Sequence, residues 1–120
     1  MPANDTCCSI NPYFRIHENK SDEFRNICND LVERAMKEPR CLYYGFSFCG
    51  DVAHCREGFE GAEGILYHME NVSDLLEKML AISDLISVEI HGARSEIEKL
   101  KEPLADMNPR FYELEYGFRR

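Results

Sequence analysis

Apolar and polar positions alternate over Ser9–His17, with Phe14 and Ile16 on one face and Tyr13, Arg15 and His17 on the other. That period of two predicts a first strand. Glu18, Asn19 and Lys20 make a turn, and Ser21 stands where a helix N-cap is wanted, followed by Asp22 and Glu23 at the positive end of the helix dipole. Phe24, Ile27, Cys28, Leu31, Val32, Ala35 and Met36 then recur at spacings of three and one, the stripe of an amphipathic helix that Pro39 terminates. Alternation returns in Cys41–Cys49: Leu42, Tyr44, Phe46 and Phe48 share one face, Tyr43, Gly45, Ser47 and Cys49 the other. Gly50 and Asp51 supply a turn, and Ala53–Phe59 reads as the return strand of a hairpin. Gly61 opens a helical region carrying Ala62, Ile65, Leu66 and Met69. Asn71 is placed to cap a further helix with Val72, Leu75, Leu76, Met79 and Leu80 buried.

The pattern continues with a fourth strand, Leu85–His91, that turns Ile86, Val88 and Ile90 to one side. Ile97, Leu100, Leu104 and Met107 suggest a short helical excursion broken at Pro103, and Phe111–Phe118 alternates as a last, half-exposed strand. The order β-α-β-β-α-β is the ferredoxin-like pattern, so the expected fold is α+β: an antiparallel sheet with a C-terminal helical excursion and an extra strand. One domain over 1–120 is expected, with about 1–8 as a flexible N-terminus and about 93–120 as a C-terminal extension. Such a sheet has one face under helices and one bare. A bare face bearing Tyr13, Tyr43 and Cys49 calls for cover, and a second copy is the common answer, so a homodimer is expected, with the last strand a candidate for pairing with the partner's sheet.

Composition narrows the function classes. Among 120 residues, 14 Lys and Arg face 22 Asp and Glu, for a net charge of −8. This argues against nucleic acid and against anionic membrane surfaces as partners. No apolar run is long enough to span a bilayer, and the start lacks the pattern of a secretory signal, so a cytoplasmic location is expected. The six cysteines form no C-x-x-C pair and read as reduced, buried thiols, with Cys7 and Cys8 the exposed, oxidisable exceptions. Cys49, His54 and Cys55 fall short of a four-ligand metal site, so no metal is expected.

From Asn11 to about Leu85 the sequence resembles the antibiotic biosynthesis monooxygenase family of dimeric α/β barrels. The resemblance lies in KEPRCLYYGFSF (Lys37–Phe48), a helix end running into an aromatic strand, and in CREGFEGAEGILYHM (Cys55–Met69). There Glu57, Phe59, Ala62 and His68 take the places of the family's strand acid, aromatic, small residue and helix histidine. The resemblance implies a dimeric barrel. It also implies oxygenation of quinol-like aromatics without metal or flavin; relatives bind or degrade haem. Several catalytic members carry a pocket tryptophan, and this chain has none; Phe59 and Tyr67 stand near those positions.

Cofactor-free oxygenation needs a base, donors for a developing oxyanion and a water-excluding cavity. His68 is the first candidate base by its place in the resemblance, with Tyr67 beside it to hydrogen-bond a phenol. His17, at a strand end, Asn11, Tyr44 and Arg56 are candidate substrate-binding residues, Arg56 as a clamp for an anionic oxygen. Each has a plainer reading: Tyr44 with Phe46 and Phe48 as core, and Arg56 and Glu57 as an intersubunit salt bridge. The functional expectation is a cofactor-independent monooxygenase for a small aromatic ligand. The rivals are a non-catalytic ligand-binding or interaction module on the same barrel, and haem binding.

Overall fold

The computed structural model describes residues 5–120. Strand β1 (Cys7–Ile16) leads to helix α1 (Ser21–Met36), the hairpin β2 (Cys41–Cys49) and β3 (Val52–Glu60), and helices α2 (Gly61–Asn71) and α3 (Ser73–Leu80). Strand β4 (Ser83–Gly92), helix α4 (Arg94–Leu100), a 3-10 turn at Ala105–Met107 and strand β5 (Arg110–Glu113) complete it. The sheet order is β2-β3-β1-β4-β5. The first four strands pair antiparallel in the ferredoxin-like arrangement, with the helices on one face. Among the described residues no helix is long and apolar enough to cross a membrane.

The fifth strand departs from the expected antiparallel sheet. It runs parallel to β4, because α4 and the turn after it carry the chain back along β4, so that Arg110 enters beside Glu89. It is also shorter than the alternation of Phe111–Phe118 suggests. Its last pair is Gly92↔Glu113, where β4 ends and offers no further backbone, so Tyr116 and Phe118 stand exposed beyond it.

Within α1 the buried positions are Phe24, Ile27, Cys28, Leu31 and Ala35, as the stripe predicts. Lys20, not Ser21, takes the cap position, and the Ser21 hydroxyl accepts from Arg25 instead. Asn71 also departs from its expected capping role: it ends α2, Val72 takes the cap position of α3, and the Asn71 amide is used elsewhere. Cys8 is fully buried and Cys7 half-buried, because β1 starts two residues earlier than the alternation suggests. The exposed pair expected there is therefore not found; of the N-terminal segment, residues 1–4 lie outside those described.

Three irregularities shape the sheet. Even-numbered residues of β1 direct their N–H toward the β3 side, as Ile16 does toward the Asp51 carbonyl at 2.8 Å. Pro12 has no N–H to give, and the β1–β3 ladder stops at Ile10↔Glu57 and resumes at Tyr13↔His54. On the other side the register jumps between Tyr13↔Ser87 and Phe14↔Leu85, leaving Ile86 as the bulged residue. Ile86 is exposed while Leu85 joins the core, reversing the face read from the sequence. A shift between Cys41 and Tyr43 does the same to Leu42.

The helical face carries two apolar clusters. One gathers Phe14, Phe24, Leu31 and Met79 under α1 and α3, the other Ile10, Phe59, Ile65, Ile90 and Leu100 under α2 and α4. Tyr44 and Leu85 touch both. On the opposite face Tyr13 lies 4.5 Å from His54, and the Arg56 guanidinium sits 5.1 Å from the Tyr43 ring centroid.

Gly64 marks where α2 meets the sheet. A Cβ there would fall 2.8 Å from the Phe59 Cβ and 3.2 Å from the Arg40 Cβ, atoms fixed to backbone. Gly64→Ala gains about 1 kcal/mol of helix propensity and loses about 1–3 kcal/mol to overpacking. Net destabilisation is expected, read as a lower midpoint in urea unfolding.

Candidate active site

Three polar side chains from distant segments meet under the helices. Glu38 lies in the turn between α1 and β2, its N–H bonded to the Ala35 carbonyl at 3.0 Å, and Pro39 behind it prevents the helix from continuing. Glu57 comes from β3, on the face that Ala53, Cys55 and Phe59 also turn toward the helices. His68 extends the buried Ala62, Ile65 stripe of α2 by three residues and is 2% exposed. Its Nδ1 lies 2.8 Å from Glu38 Oε2 and its Nε2 3.3 Å from Glu57 Oε1. Asn71 Nδ2 donates to the same Glu38 oxygen at 2.9 Å. The imidazole sits between the rings of Tyr44 and Phe59, with centroids 5.1 and 4.9 Å away.

These contacts set protonation. Glu38 accepts from Asn71, so the His68 Nδ1–H donates to it and the lone pair falls on Nε2, toward Glu57. Burial pushes His68 below its ordinary value, opposed by the hydrogen bond and charge of Glu38. Burial pushes Glu57 up to about 8; a hydrogen bond with the Cys55 thiol opposes it and the charge of Glu38 adds to it. At neutral pH a protonated carboxylic acid therefore stands beside a neutral imidazole, the divergence that marks an acid and a base. Burial also drives Tyr44 and Cys55 upward, so both keep their protons. Glu57 Oε1 is buried and has no hydrogen-bond partner, since its approach to His68 lies outside hydrogen-bond geometry.

A cavity of about 130 Å³ opens against this group, between the sheet and helices α2 and α3. Tyr44, Glu57 and His68 form its polar end. Ile10, Phe14, Phe46, Leu76 and Met79 form its apolar walls, and half-exposed Leu80 borders it on α3. An engineered apolar cavity of about 150 Å³ holds benzene, so this volume is on the scale of one ring.

Of the residues singled out from the sequence, His68 and Tyr44 meet at the cavity. Tyr67 is 54% exposed on the outer flank of α2 and does not line it. Asn11 belongs to the opposite face of the sheet, donating to Ser9 Oγ at 3.2 Å and to the Glu89 carbonyl at 3.5 Å. Arg56 is on that face too, over Tyr43. His17 lies past the end of β1, paired with Asp84 at 3.1 Å in solvent. The intersubunit bridge read for Arg56 and Glu57 does not use Glu57, whose side chain points inward. Glu38 escaped the sequence reading: between Lys37 and Arg40 it looks like a solvated helix end, and only Pro39 hints at a fixed turn.

Glu38 and Glu57 flank opposite nitrogens of His68 and do not converge on one point. Among the described residues no group of three potential ligands is placed to hold a metal ion. A macrocycle the size of haem does not fit a cavity on the scale of one ring.

The architecture is shared with solved structures. MupZ from Pseudomonas fluorescens is 42% identical over 98% of this chain and 91% of its own, with a TM-score of 0.93. Proteins described as "putative antibiotic biosynthesis monooxygenase" from Caulobacter crescentus (17% identity, 74% of this chain, 91% of that chain, TM-score 0.67) and Nitrosomonas europaea (11%, 76%, 93%, 0.68) share the fold. No family model and no curated protein matches the sequence. The fold is thus that of the antibiotic biosynthesis monooxygenases. Within it, the chain belongs to the family that includes MupZ.

The buried acid makes stability pH-dependent. Glu57 titrates near 4.5 when unfolded and about 8 when folded, so the folded state keeps a proton the unfolded state sheds between those values. Its contribution is full below the lower value and is lost as pH rises through the upper. His68, depressed by burial, acts oppositely and costs stability as pH falls below its ordinary value. Glu57→Gln is expected to be more stable than wild type near pH 9, with the advantage shrinking toward about pH 5, in thermal melts across that range.

Proposed function

We propose that the chain is a homodimeric, cytoplasmic enzyme that oxygenates a small aromatic, quinol-like molecule without a cofactor. The observation that carries this reading is the imidazole fixed between two buried carboxyl groups at the polar end of an apolar cavity. His68 Nε2 takes the proton of a ring hydroxyl, and the anion, enclosed away from water, is electron-rich enough to reduce dioxygen. The ring carbon next to the oxygen bonds to dioxygen to give a peroxide, and Glu57 supplies its proton. Loss of the remaining C–H proton to a base, with cleavage of the O–O bond, leaves a carbonyl on the ring and releases water. One oxygen atom stays in the product and one leaves in water. Tyr44, which keeps its proton, is a donor for the developing oxyanion. Glu38 positions His68 and selects its tautomer.

A second reading keeps the same pair and omits dioxygen: a proton shift or addition within the ligand, with Glu57 as acid and His68 as base. The protonated state of Glu57 beside neutral His68 favours it.

The uncovered sheet face, with Tyr13, Tyr43, His54 and Arg56, supports pairing with a second copy. Six unpaired thiols suit a reducing compartment. Sedimentation should give twice the 14.0 kDa chain mass, and a single-chain mass would sink the dimer.

Dioxygen uptake is measured with a panel of quinols, in air and under argon. Uptake matched one to one by ligand loss is expected, lowered about 10²–10⁴-fold by His68→Ala. Turnover under argon would replace the first reading with the second. No turnover in either atmosphere would sink both.

A further inference from the structure

The cavity's outer wall includes a residue from outside the β-α-β-β-α-β unit. Met107 lines it, at the end of the 3-10 turn that follows α4. The turn is anchored, not loose. Ile97 and Leu100 of α4 are fully buried, and Leu100 and the nearly buried Leu104 pack on the α2 side of the core. Asn108 closes the turn in the left-handed region at φ 49°, its N–H bonded to the Ala105 carbonyl at 2.9 Å. The unbranched Met107 side chain is thus presented to the cavity from a fixed backbone, and with Met107 in place the volume stays near that of one ring.

The polar end restricts charge. It holds Glu57 and His68, backed by Glu38, and among the described residues no lysine or arginine lines the cavity. An anion placed there would be buried unpaired beside carboxyl groups. The unpartnered Glu57 Oε1 instead suits a neutral ligand oxygen or hydroxyl.

We infer that the cavity takes an uncharged, oxygen-bearing molecule one ring across, and that Met107 is the specificity-determining residue setting that limit. The inference rests on the reading of this cavity as the ligand site, but not on the reaction performed there.

Isothermal titration of the full-length protein with phenol, 1-naphthol and benzoate at neutral pH tests it. Phenol is expected to bind, and 1-naphthol and benzoate each about tenfold more weakly or worse. Met107→Ala is expected to raise 1-naphthol affinity about tenfold and leave benzoate weak. Met107→Phe, which fills the space, is expected to abolish phenol binding. Failure of phenol to bind, equal binding of any two ligands by wild type, an unchanged size ranking in Met107→Ala, or retained phenol binding in Met107→Phe would each overturn the inference. If the binding order holds while quinols consume no dioxygen, the oxygenation reading falls and this one stands.

Discussion

The structure is organised around an energetic conflict: three ionisable side chains sit in an interior that is otherwise hydrocarbon. Burying a carboxylate beside another carboxylate is costly unless one of them takes a proton or finds a donor. Here the conflict is resolved by division of labour. Glu38 receives two hydrogen bonds and keeps the role of acceptor, Glu57 holds a proton, and His68 stays neutral between them. The resolution is tied to the fold, because the three residues come from a turn, a strand and a helix. Their meeting requires α1, β3 and α2 to be docked at once. Asn71 completes the arrangement from the last position of α2, which explains why a residue suited to capping is spent on a side chain instead.

The same placement determines what the cavity is fit for. A protonated acid and an imidazole lone pair, side by side against an apolar cavity, can give a proton to and take one from a ligand placed there. Tyr44 and Leu85 touch both apolar clusters, so the cavity lies at a seam between two well-packed halves. Packing on either side keeps the polar end in place while the seam itself stays unfilled.

Much of this was legible in the sequence, and the exceptions share a cause. The bounds of β2 follow from Pro39, the alternation and the Gly50 turn. The buried stripe of α1 follows from its spacing, and His68 stands out by its place in the family resemblance. The misreadings all depend on geometry that residue type does not encode. Alternation puts Ile86 on one face with Val88 and Ile90, but the bulge at Ile86 turns it outward. Tyr67, adjacent to His68, lies about 100° around the helix from it and so faces solvent. The parallel run of β5 is a property of how α4 returns the chain, and the role of Glu38 is a property of a closed turn; neither leaves a periodic trace.

Pro12 offers a last consequence. It sits in β1, flanked by a strand on each side, and borders the cavity where the β1–β3 ladder is interrupted. With the Pro12 amide unable to donate, fewer hydrogen bonds hold β1 to β3 at the floor of the pocket than along its flanks. The scaffold can breathe beneath a guest without any opening of the helices above it.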